Sequence, residues 1–461
     1  MKSFAIISEL IKILGEKNVL ADEESRSIYG KDLTKNFKPD PMVIVFPKNE
    51  QEVINIVQLA NATNTGIVPS GGRTGYSGGA VSASKEIVVS LEKFNRILSF
   101  NSIDRQVKCE PGVITKTIQD FALNNNLHYP VDFSSSSSSQ IGGNIATNAG
   151  GIKVIRYGST RNWIAGLKVI TGNGELLNLN TGLAKNNSGY DLRHLFIGSE
   201  GTLGIITEAT VQLTTIPHET KVLLLGVSSK DHITKIFNSF KSMSQIIAFE
   251  FFSELAMQHI LRKTKLEHPF SIASSFYILI EYESNDAQDK ICLEILEKYL
   301  REKIINDAIF SSNISQAKKL WRFREEISMS ISEYSPYKYD IAVLPSNIAA
   351  FMNDANRLLH EIYPDMEIIW FGHVGDGNLH LNILKPAKWL KEDFVSYCNL
   401  KSHEVYRLIH AYEGTISAEH GVGLLKKSFL HYTKEKNEIS YMRAIKKIFD
   451  PKNIMNPGKI F

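Results

Sequence analysis

The stretch Pro69-Ser-Gly-Gly-Arg-Thr-Gly-Tyr-Ser-Gly-Gly79 carries five glycines in eleven positions. Glycine has no Cβ, so the backbone N–H groups of such a loop can converge on an anion. Arg73 and Thr74 can add side-chain donors. A strand-like segment follows, unlike the helix of a dinucleotide-binding βαβ unit, and the terminal Gly-Lys-Ser/Thr of a P-loop is missing. The pattern therefore predicts a phosphate loop of another kind, with a plain turn as the alternative.

Two more glycine-rich segments follow, Gln140-Ile-Gly-Gly-Asn-Ile-Ala-Thr-Asn-Ala-Gly-Gly151 and Gly198-Ser-Glu-Gly-Thr-Leu-Gly-Ile-Ile-Thr207. Six serines, Ser134–Ser139, precede the second segment directly. A serine run is typical of a flexible linker. Because glycines and asparagines suited to phosphate binding follow at once, we favour a functional loop over a linker here.

Apolar periodicity around these loops predicts an α+β domain. Short apolar runs at Met42–Phe46 and Ile67–Val68 indicate strands, and Asn49–Ala62 has the spacing of an amphipathic helix. After Pro217 strands and helices alternate, which predicts a second, ferredoxin-like domain with additions. The predicted divisions are N-terminal helices over 1–38, a cofactor domain over 39–217, a substrate and metal domain over 218–420, and a C-terminal segment over 421–461.

Composition narrows the class of protein. The 461 residues carry a net charge of +3 from 52 basic and 49 acidic side chains, which gives no argument for nucleic-acid binding. Cys109, Cys292 and Cys398 lie far apart, so a disulfide framework or thiolate metal site is not predicted. No signal-peptide pattern and no apolar run of about 20 residues is present. These features predict a soluble cytoplasmic protein.

A second chemical signal is Phe371-Gly-His-Val-Gly-Asp-Gly-Asn-Leu-His-Leu-Asn382, which sets His373 and His380 seven positions apart. Ser417-Ala-Glu-His-Gly421 adds Glu419 beside His420. Two imidazoles and a carboxylate suit a borderline divalent metal that keeps a position open for substrate. A single histidine is more often structural, and that interpretation is kept for His218, His259, His268 and His403.

Cationic residues upstream suit an acidic substrate. Leu320-Trp-Arg-Phe-Arg-Glu-Glu-Ile-Ser328 has helical spacing, with Arg324 and Ser328 four apart on one face. Arg324 offers a planar fork for a carboxylate, and Lys338, in Lys338-Tyr-Asp340, offers a second cation. An Arg–Glu surface pair is the alternative for Arg324.

The three glycine-rich segments, in this order and spacing, resemble the FAD-binding domain of the vanillyl-alcohol-oxidase type. The resemblance implies pyrophosphate contacts, positions near the flavin and an adenine-side residue. Arg73 stands where some members attach the flavin covalently through histidine, which implies non-covalent FAD. The implied cofactor residues are Gly71, Gly72, Arg73, Thr74, Gly75, Gly142, Gly143, Asn144, Thr147, Asn148, Ile206 and Asn456.

The Leu-Trp-x-x-Arg-Glu, Lys-Tyr-Asp, Gly-His-x-Gly-Asp-Gly-Asn-Leu-His-Leu-Asn and Ser-Ala-Glu-His-Gly patterns resemble the flavin D-2-hydroxyacid dehydrogenases, in particular the D-2-hydroxyglutarate branch. Ser328 stands where threonine is common. The resemblance implies an FAD domain of two subdomains, a cap domain with an antiparallel sheet, and a C-terminal helical segment that returns to the FAD domain. The implied roles are Zn²⁺ binding by His373, His380 and Glu419, substrate binding by Arg324, Ser328, Lys338 and Asn382, and proton abstraction by His420.

The resemblance implies oxidation of a D-2-hydroxy acid, with D-2-hydroxyglutarate favoured because two cations can bind a dicarboxylate. The alternatives are a D-lactate or glycolate dehydrogenase and a non-catalytic flavoprotein subunit of a larger complex. No haem or iron–sulfur pattern occurs, so we expect an external electron acceptor such as an electron-transfer flavoprotein or a quinone. A homodimer is compatible with these features.

Overall fold

The computed structural model describes residues 2–34, 36–241, 243 and 246–461. The chain divides into two units. The first contains Met1–Gly150, Gly158–Ile216 and Glu419–Phe461, and the second contains Gly151–Tyr157 and Pro217–Ala418. The boundary predicted at 217/218 lies at 216/217 in the structure, and the one predicted at 420/421 lies at 418/419. The short segment 151–157 belongs to the second unit, and the N-terminal helices belong to the first.

The first unit contains a four-stranded sheet in the order Val19–Leu20, Val43–Val45, Ile87–Ser90 and Ile67–Ser70. The last three strands are parallel. Their short runs of β-branched residues are buried because helices cover them. The Lys2–Leu14 helix shares a core with the Glu50–Thr63 helix, whose N-cap is Asn49. The predicted Asn49–Ala62 helix therefore differs from the observed one by a single residue at each end.

A five-stranded antiparallel sheet forms the other half of this unit, in the order Ile97–Asn101, Gln106–Cys109, Gly204–Gln212, Ile164–Thr171 and Leu176–Thr181. A two-stranded pair joins Leu127–His128 to Thr214–Thr215. The helices of the first unit are Lys2–Leu14, Glu23–Tyr29, Glu50–Thr63, Thr115–Asn124, Ile141–Thr147, Arg193–Phe196 and Lys436–Phe449, with 3-10 turns at Glu16–Asn18, Thr160–Trp163 and Lys427–Tyr432.

The C-terminal segment completes the first unit. Phe449 packs edge-on against Phe196, with ring centroids 5.0 Å apart. Lys446, which is buried, donates hydrogen bonds to the carbonyl of Thr202 at 2.8 Å and to Asp450 at 2.7 Å. Met455 lies in the same core as Ile67 and bridges to it. A buried ammonium is stable only with such partners, so these contacts fix the last helix on this unit.

The second unit is built on a seven-stranded antiparallel sheet in the order Ile305–Phe310, Thr220–Val227, Phe276–Glu283, Ile246–Ser253, Ile368–Gly372, Asn378–Ile383 and Tyr337–Ala342. Its helices are Val154–Tyr157, Ile233–Lys241, Glu254–Lys263, Asp286–Arg301, Ile314–Glu325, Ile327–Ser330, Ile348–Ile362 and Lys391–Ala411, with 3-10 turns at Lys230–His232, Ser332–Tyr334 and Pro345–Asn347. The sequence also predicts a helix over Asp231–Met243, which corresponds to the 3-10 turn Lys230–His232 and the helix Ile233–Lys241; Ser242 lies outside the described residues.

One face of this sheet carries the candidate site. Phe252 pairs with Tyr277 and with Phe371 across neighbouring strands, so these three side chains share that face. The Glu254–Lys263 helix and the Ile314–Glu325 helix bury it. The predicted helix through Ser328 is interrupted, because Ile314–Glu325 ends and a separate turn, Ile327–Ser330, follows. Arg324 is buried and Ser328 is exposed.

Among the described residues, no helix is both long and apolar enough to cross a membrane.

We predict that Leu279→Ala destabilises the second unit by about 2–5 kcal/mol, because the side chain is fully buried at the centre of the seven-stranded sheet. The measurement is urea unfolding followed by tryptophan fluorescence, which Trp321 and Trp370 of this unit provide. Leu400→Ala, at a position 68% exposed, is the control and should shift the transition by less than about 0.5 kcal/mol. Equal shifts for the two variants would contradict the assigned core.

Candidate active site

A cavity in the first unit is lined by the glycine-rich segments. It encloses about 1340 Å³ of empty space, part of it open to solvent. Ten of the twelve predicted cofactor residues line it, namely Gly71, Gly72, Arg73, Thr74, Gly75, Gly142, Gly143, Asn144, Thr147 and Ile206. Ser134 and Ser135 from the serine run also line it, which favours the functional interpretation of that run over a linker.

The backbone shape of the cavity depends on its glycines. A Cβ on Gly143 would meet nothing within 4 Å, and one on Gly71 would meet its nearest atom at 3.6 Å, so both positions leave open space at the wall. A Cβ on Gly72 would lie 2.2 Å from the carbonyl oxygen of Ser138. The second segment is a helix, Ile141–Thr147, where the sequence suggested a loop. At these glycines the wall of the cavity is formed by backbone atoms, with no side chain between them and the cavity.

Two predicted cofactor residues act at the edge of this cavity rather than in its lining. Asn148 accepts hydrogen bonds from Ser159 Oγ and from the Arg161 amide, both at 2.9 Å. Asn456 donates to the carbonyl oxygens of Gly79 at 2.9 Å and Glu200 at 2.6 Å, and both of those residues line the cavity. Asn456 thus links the first glycine loop to the third.

The Arg73 side chain is directed to two neighbours. Its guanidinium carbon lies 4.3 Å from the ring centroid of Tyr29, and Nη1 lies 3.8 Å from Glu92 Oε2. The sequence suggested a side-chain donor to phosphate at this position. In the structure the guanidinium is held by a cation–π contact and an ion pair.

Glu200 is a cavity residue that the sequence analysis did not single out. Its carboxylate accepts hydrogen bonds from the amides of Val422 at 2.7 Å and Gly423 at 2.8 Å, directly after His420. Burial raises the pKa of Glu200, although the two amides oppose that shift. The sequence did carry a signal for this role. Glu200 stands between two glycines in Gly198-Ser-Glu-Gly201, and an acid in a glycine-rich turn can accept hydrogen bonds from backbone amides.

Glu419 and His420 also line the cavity of the first unit. The His420 ring is tilted by 57° against Tyr76, with ring centroids 5.3 Å apart. Burial raises the pKa of the Tyr76 phenol. The His420 side chain is partly exposed, and its Nε2 lies 4.0 Å from Glu419 Oε2.

The second unit positions the two predicted metal-binding histidines at a hairpin. His373 follows the Ile368–Gly372 strand and His380 lies in the next strand, opposite Phe371. Gly377, with φ of +90°, forms the turn where a Cβ would lie 2.0 Å from the Val343 carbonyl oxygen. The imidazole centroids are 5.2 Å apart and the rings are nearly perpendicular, at 85°.

Buried carboxylates contact both imidazoles. His373 Nδ1 lies 2.9 Å from Glu250 Oε1, and His380 Nδ1 lies 3.6 Å from Asp340 Oδ1. Asp340 is held in turn by the Asn378 amide at 3.0 Å. At His373 the carboxylate hydrogen-bonded to Nδ1 favours the tautomer whose Nε2 lone pair can bind a metal, a usual arrangement around ligating histidines. The 3.6 Å separation at His380 is too long for a hydrogen bond. Burial raises the pKa of nearby Asp376 to about 6.

The predicted substrate residues are distributed around this pair. Lys338 lies directly opposite Asn382 and Asp340 directly opposite His380, so all four side chains share one face of the sheet. Asn382 Oδ1 is buried with no hydrogen-bond partner in the described part of the chain. Arg324 Nε lies 2.8 Å from Glu250 Oε2, so the Arg–Glu pair is a buried one. Ser328 is exposed beyond the helix break.

Comparisons with known proteins agree with this geometry. Residues 41–180 match the model of an FAD binding domain, and residues 216–460 match FAD linked oxidases, C-terminal domain. The chain is 48% identical over 458 residues to a D-2-hydroxyglutarate dehydrogenase of Stutzerimonas stutzeri, covering 99% of both chains. It is 36% identical to the mitochondrial D-2-hydroxyglutarate dehydrogenase of Arabidopsis thaliana, covering 98% of this chain and 81% of that one.

A putative mitochondrial D-lactate dehydrogenase of Schizosaccharomyces pombe is 32% identical, with 97% of this chain and 88% of that one covered. Among solved structures, p-cresol methylhydroxylase has a TM-score of 0.77 at 15% identity, covering 100% of this chain and 96% of that one. The predicted α+β class and the vanillyl-alcohol-oxidase type of fold are confirmed. The chain binds FAD, is an FAD-dependent dehydrogenase, and belongs to the FAD-linked oxidase family together with the D-2-hydroxyglutarate dehydrogenases.

Proposed function

We propose that this enzyme oxidises D-2-hydroxyglutarate to 2-oxoglutarate. The observation that carries the proposal is the row of side chains on two neighbouring strands, where Lys338 faces Asn382 and Asp340 faces His380. A cation and a buried amide oxygen that has no hydrogen-bond partner among the described residues, beside a pair of imidazoles, suit a substrate with both a hydroxyl and carboxylates. The relatives at 48% and 46% identity bear the same substrate in their names.

The cavity of the first unit fits FAD. Ser70 Oγ and Gln140 Oε1 line it and are buried without a hydrogen-bond partner in the described part of the chain. Buried polar atoms are rarely left in this state, so they suit a polar ligand. We assign the FAD contacts to Gly71–Gly75, Gly142–Asn144, Thr147 and Ile206, and supporting roles to Asn148 and Asn456. No histidine occurs in the first loop, so the FAD is non-covalent.

The hairpin of the second unit fits a divalent metal. The donor set of His373, His380 and Glu419 contains two imidazoles and one carboxylate, which suits Zn²⁺. The 5.2 Å between the two ring centroids is compatible with both Nε2 atoms binding one ion at about 2.0–2.1 Å.

The residues of this chain then have distinct tasks. A metal held by His373, His380 and Glu419 would supply Lewis acidity towards the substrate hydroxyl, and FAD held in the cavity of the first unit would supply the hydride acceptor. His420 takes the hydroxyl proton, because imidazole is the usual base near neutral pH. Lys338 binds the distal carboxylate, Arg324 binds a carboxylate through its remaining N–H groups, and Asn382 contacts the substrate through its buried side-chain amide. Ser328, exposed after the helix break, is the weakest member of the predicted set.

The direct test is a panel of D-2-hydroxy acids assayed by dye reduction, with and without a chelator. We expect the highest kcat/KM for D-2-hydroxyglutarate and loss of turnover with chelator that Zn²⁺ restores. A preference for D-lactate or glycolate would assign the enzyme to those alternatives, and no turnover with any acid would favour the non-catalytic subunit. For the electron acceptor we propose an electron-transfer flavoprotein or a quinone.

Replacing the proposed base should remove turnover and leave the cofactor in place. We predict that His420→Asn lowers kcat for D-2-hydroxyglutarate by roughly 10²–10⁴-fold, the usual contribution of a general base. Flavin absorbance per protein should be unchanged. His431→Asn, at an exposed position in the same unit, is the control and should keep full activity. A fully active His420→Asn protein would exclude His420 as the base.

Substrate choice should depend on Lys338. We predict that Lys338→Met lowers kcat/KM for D-2-hydroxyglutarate by roughly fivefold, because Lys338 is exposed and an exposed ion pair contributes at most about 1 kcal/mol. The value for D-lactate, which has no second carboxylate, should change by less than about threefold. Lys388→Met, where the lysine is largely exposed, serves as control. Equal losses for both acids would show that Lys338 does not contact the distal carboxylate.

The open wall at Gly143 can be filled without disturbing its neighbours. We predict that Gly143→Leu weakens FAD binding by roughly tenfold to a hundredfold, because overpacking a filled site costs about 1–3 kcal/mol, while the apoprotein keeps its stability. The readouts are flavin fluorescence titration and the thermal midpoint of the apoprotein. Asn124→Leu, exposed on the Thr115–Asn124 helix, is the control. FAD affinity unchanged in Gly143→Leu would remove this segment from the cofactor site.

A further inference from the structure

Glu250 is an acid in a strand that is otherwise apolar or small, Ile-Ile-Ala-Phe-Glu-Phe-Phe-Ser over Ile246–Ser253. Its side chain is only 1% exposed. An ionised carboxylate at such a depth is costly unless it is paired. On one side of its strand Glu250 lies opposite Leu279, which offers no polar partner. On the other side the neighbouring strand Ile368–Gly372 ends directly before His373, so that histidine comes next to Glu250 in the register.

Two functional side chains contact the Glu250 carboxylate. His373 Nδ1 lies 2.9 Å from Oε1 and 2.8 Å from Oε2, and Arg324 Nε lies 2.8 Å from Oε2. One buried carboxylate thus touches a proposed metal ligand and a proposed substrate-binding cation. Replacing a buried ion pair by apolar residues is often neutral or stabilising, so stability alone gives little reason for this arrangement.

The contact at Arg324 uses one edge of the guanidinium. Nε faces Glu250, and Cζ lies 4.9 Å from the centroid of Phe371, whose ring is 5.0 Å from that of His380. The 2.8 Å contact between Nε and Glu250 Oε2 is an ion pair rather than a hydrogen bond, and Nε, Nη2 and that Oε2 are all buried with no hydrogen-bond partner in the described part of the chain. The guanidinium is therefore oriented at two points, and its Nη2 remains available for an anionic group.

We propose that Glu250 is a positioning residue that orients His373 for the metal and Arg324 for the substrate carboxylate through one shared carboxylate group. This inference rests on the proposed function and deepens it. The Nδ1–H of His373 donates a hydrogen bond to Glu250, which leaves the Nε2 lone pair for the ion. The same hydrogen bond makes the imidazole more basic and so a stronger metal ligand. The same carboxylate holds Arg324 at Nε, which presents Nη2 to the substrate.

A shared carboxylate predicts coupled losses. Neutralising Glu250 weakens metal binding, because partners of metal-bound histidines typically contribute 10–100-fold in affinity. It also frees Arg324 to leave its orientation, which raises KM for the hydroxy acid. Removing Arg324 alone affects only the second property, because His373 keeps its carboxylate. The different effects of changing Glu250 and of changing Arg324 distinguish a positioning role of Glu250 from a general effect on packing.

The experiment compares Glu250→Gln, Glu250→Asp and Arg324→Met in the FAD-loaded enzyme. Bound metal is removed from each variant with a chelator, and the affinity for Zn²⁺ is measured by calorimetric titration. KM for D-2-hydroxyglutarate is then measured with saturating Zn²⁺. We expect Glu250→Gln to bind Zn²⁺ roughly 10–100-fold more weakly and to raise KM. Glu250→Asp should show a smaller loss of Zn²⁺ affinity. Arg324→Met should keep the wild-type Zn²⁺ affinity and raise KM.

Glu281→Gln is the matched control. Glu281 is also a buried acid on this face of the sheet, but it accepts a hydrogen bond from Trp321 Nε1 at 3.2 Å rather than from a histidine. Its Zn²⁺ affinity and KM should match the wild type. Flavin absorbance and the thermal midpoint show that each variant is folded, and Glu250→Asp decides the matter if Glu250→Gln does not fold.

The outcomes are distinguishable. Wild-type Zn²⁺ affinity in folded Glu250→Gln or Glu250→Asp would overturn the role of Glu250 and leave the metal site intact. Equal losses of Zn²⁺ affinity in Arg324→Met and Glu250→Gln would replace shared positioning by general destabilisation of the hairpin. No Zn²⁺ binding by the wild type would overturn the metal part of the proposed function and, with it, this inference.

Discussion

The antiparallel register between Tyr337–Ala342 and Asn378–Ile383 is the constraint on which the candidate site depends. Side chains alternate between the two faces of a strand, so a slip by one residue would move every polar residue of this pair to the opposite face. The observed register places Lys338 opposite Asn382 and Asp340 opposite His380. At the end of this pair Val343 donates its amide to the Gly377 carbonyl oxygen at 3.2 Å, and the two backbones are so close that a side chain on Gly377 would collide with the Val343 carbonyl. A cation, an amide, an acid and an imidazole thereby share one surface.

Buried acids hold the functional segments in both units. In the first unit Glu200 accepts two amides of the segment that follows His420, and its backbone carbonyl accepts from Asn456. In the second unit Glu250 contacts His373, and Asp340 lies beside His380. Burying a carboxylate is costly, and hydrogen bonds or cations must compensate it. For each of these acids, the partner that offsets the cost of burial is, or lies next to, a residue with a role in the proposed chemistry.

Much of the fold followed from pattern. The Met42–Phe46 strand and the Asn49–Ala62 helix were each predicted to within one residue at each end, because apolar spacing and an asparagine cap are local signals. The helix through Ser328 was predicted as continuous, but it is interrupted after Glu325. Helical spacing continues across that break, so no local signal marks it, and packing of Phe323 and Ile327 into the sheet determines the path.

The sequence by itself determined the class of chemistry, since glycine spacing and the histidine pattern depend on residue type and local backbone freedom. It also identified the residues that line the cofactor cavity. Only the tertiary structure decided how those groups are held. Arg73 turns to Tyr29 and Glu92, Arg324 is paired at one edge, and Glu250 links that arginine to a histidine more than a hundred positions away. Such contacts join residues far apart in the chain, and periodicity carries no information about which distant strand or helix will supply a partner.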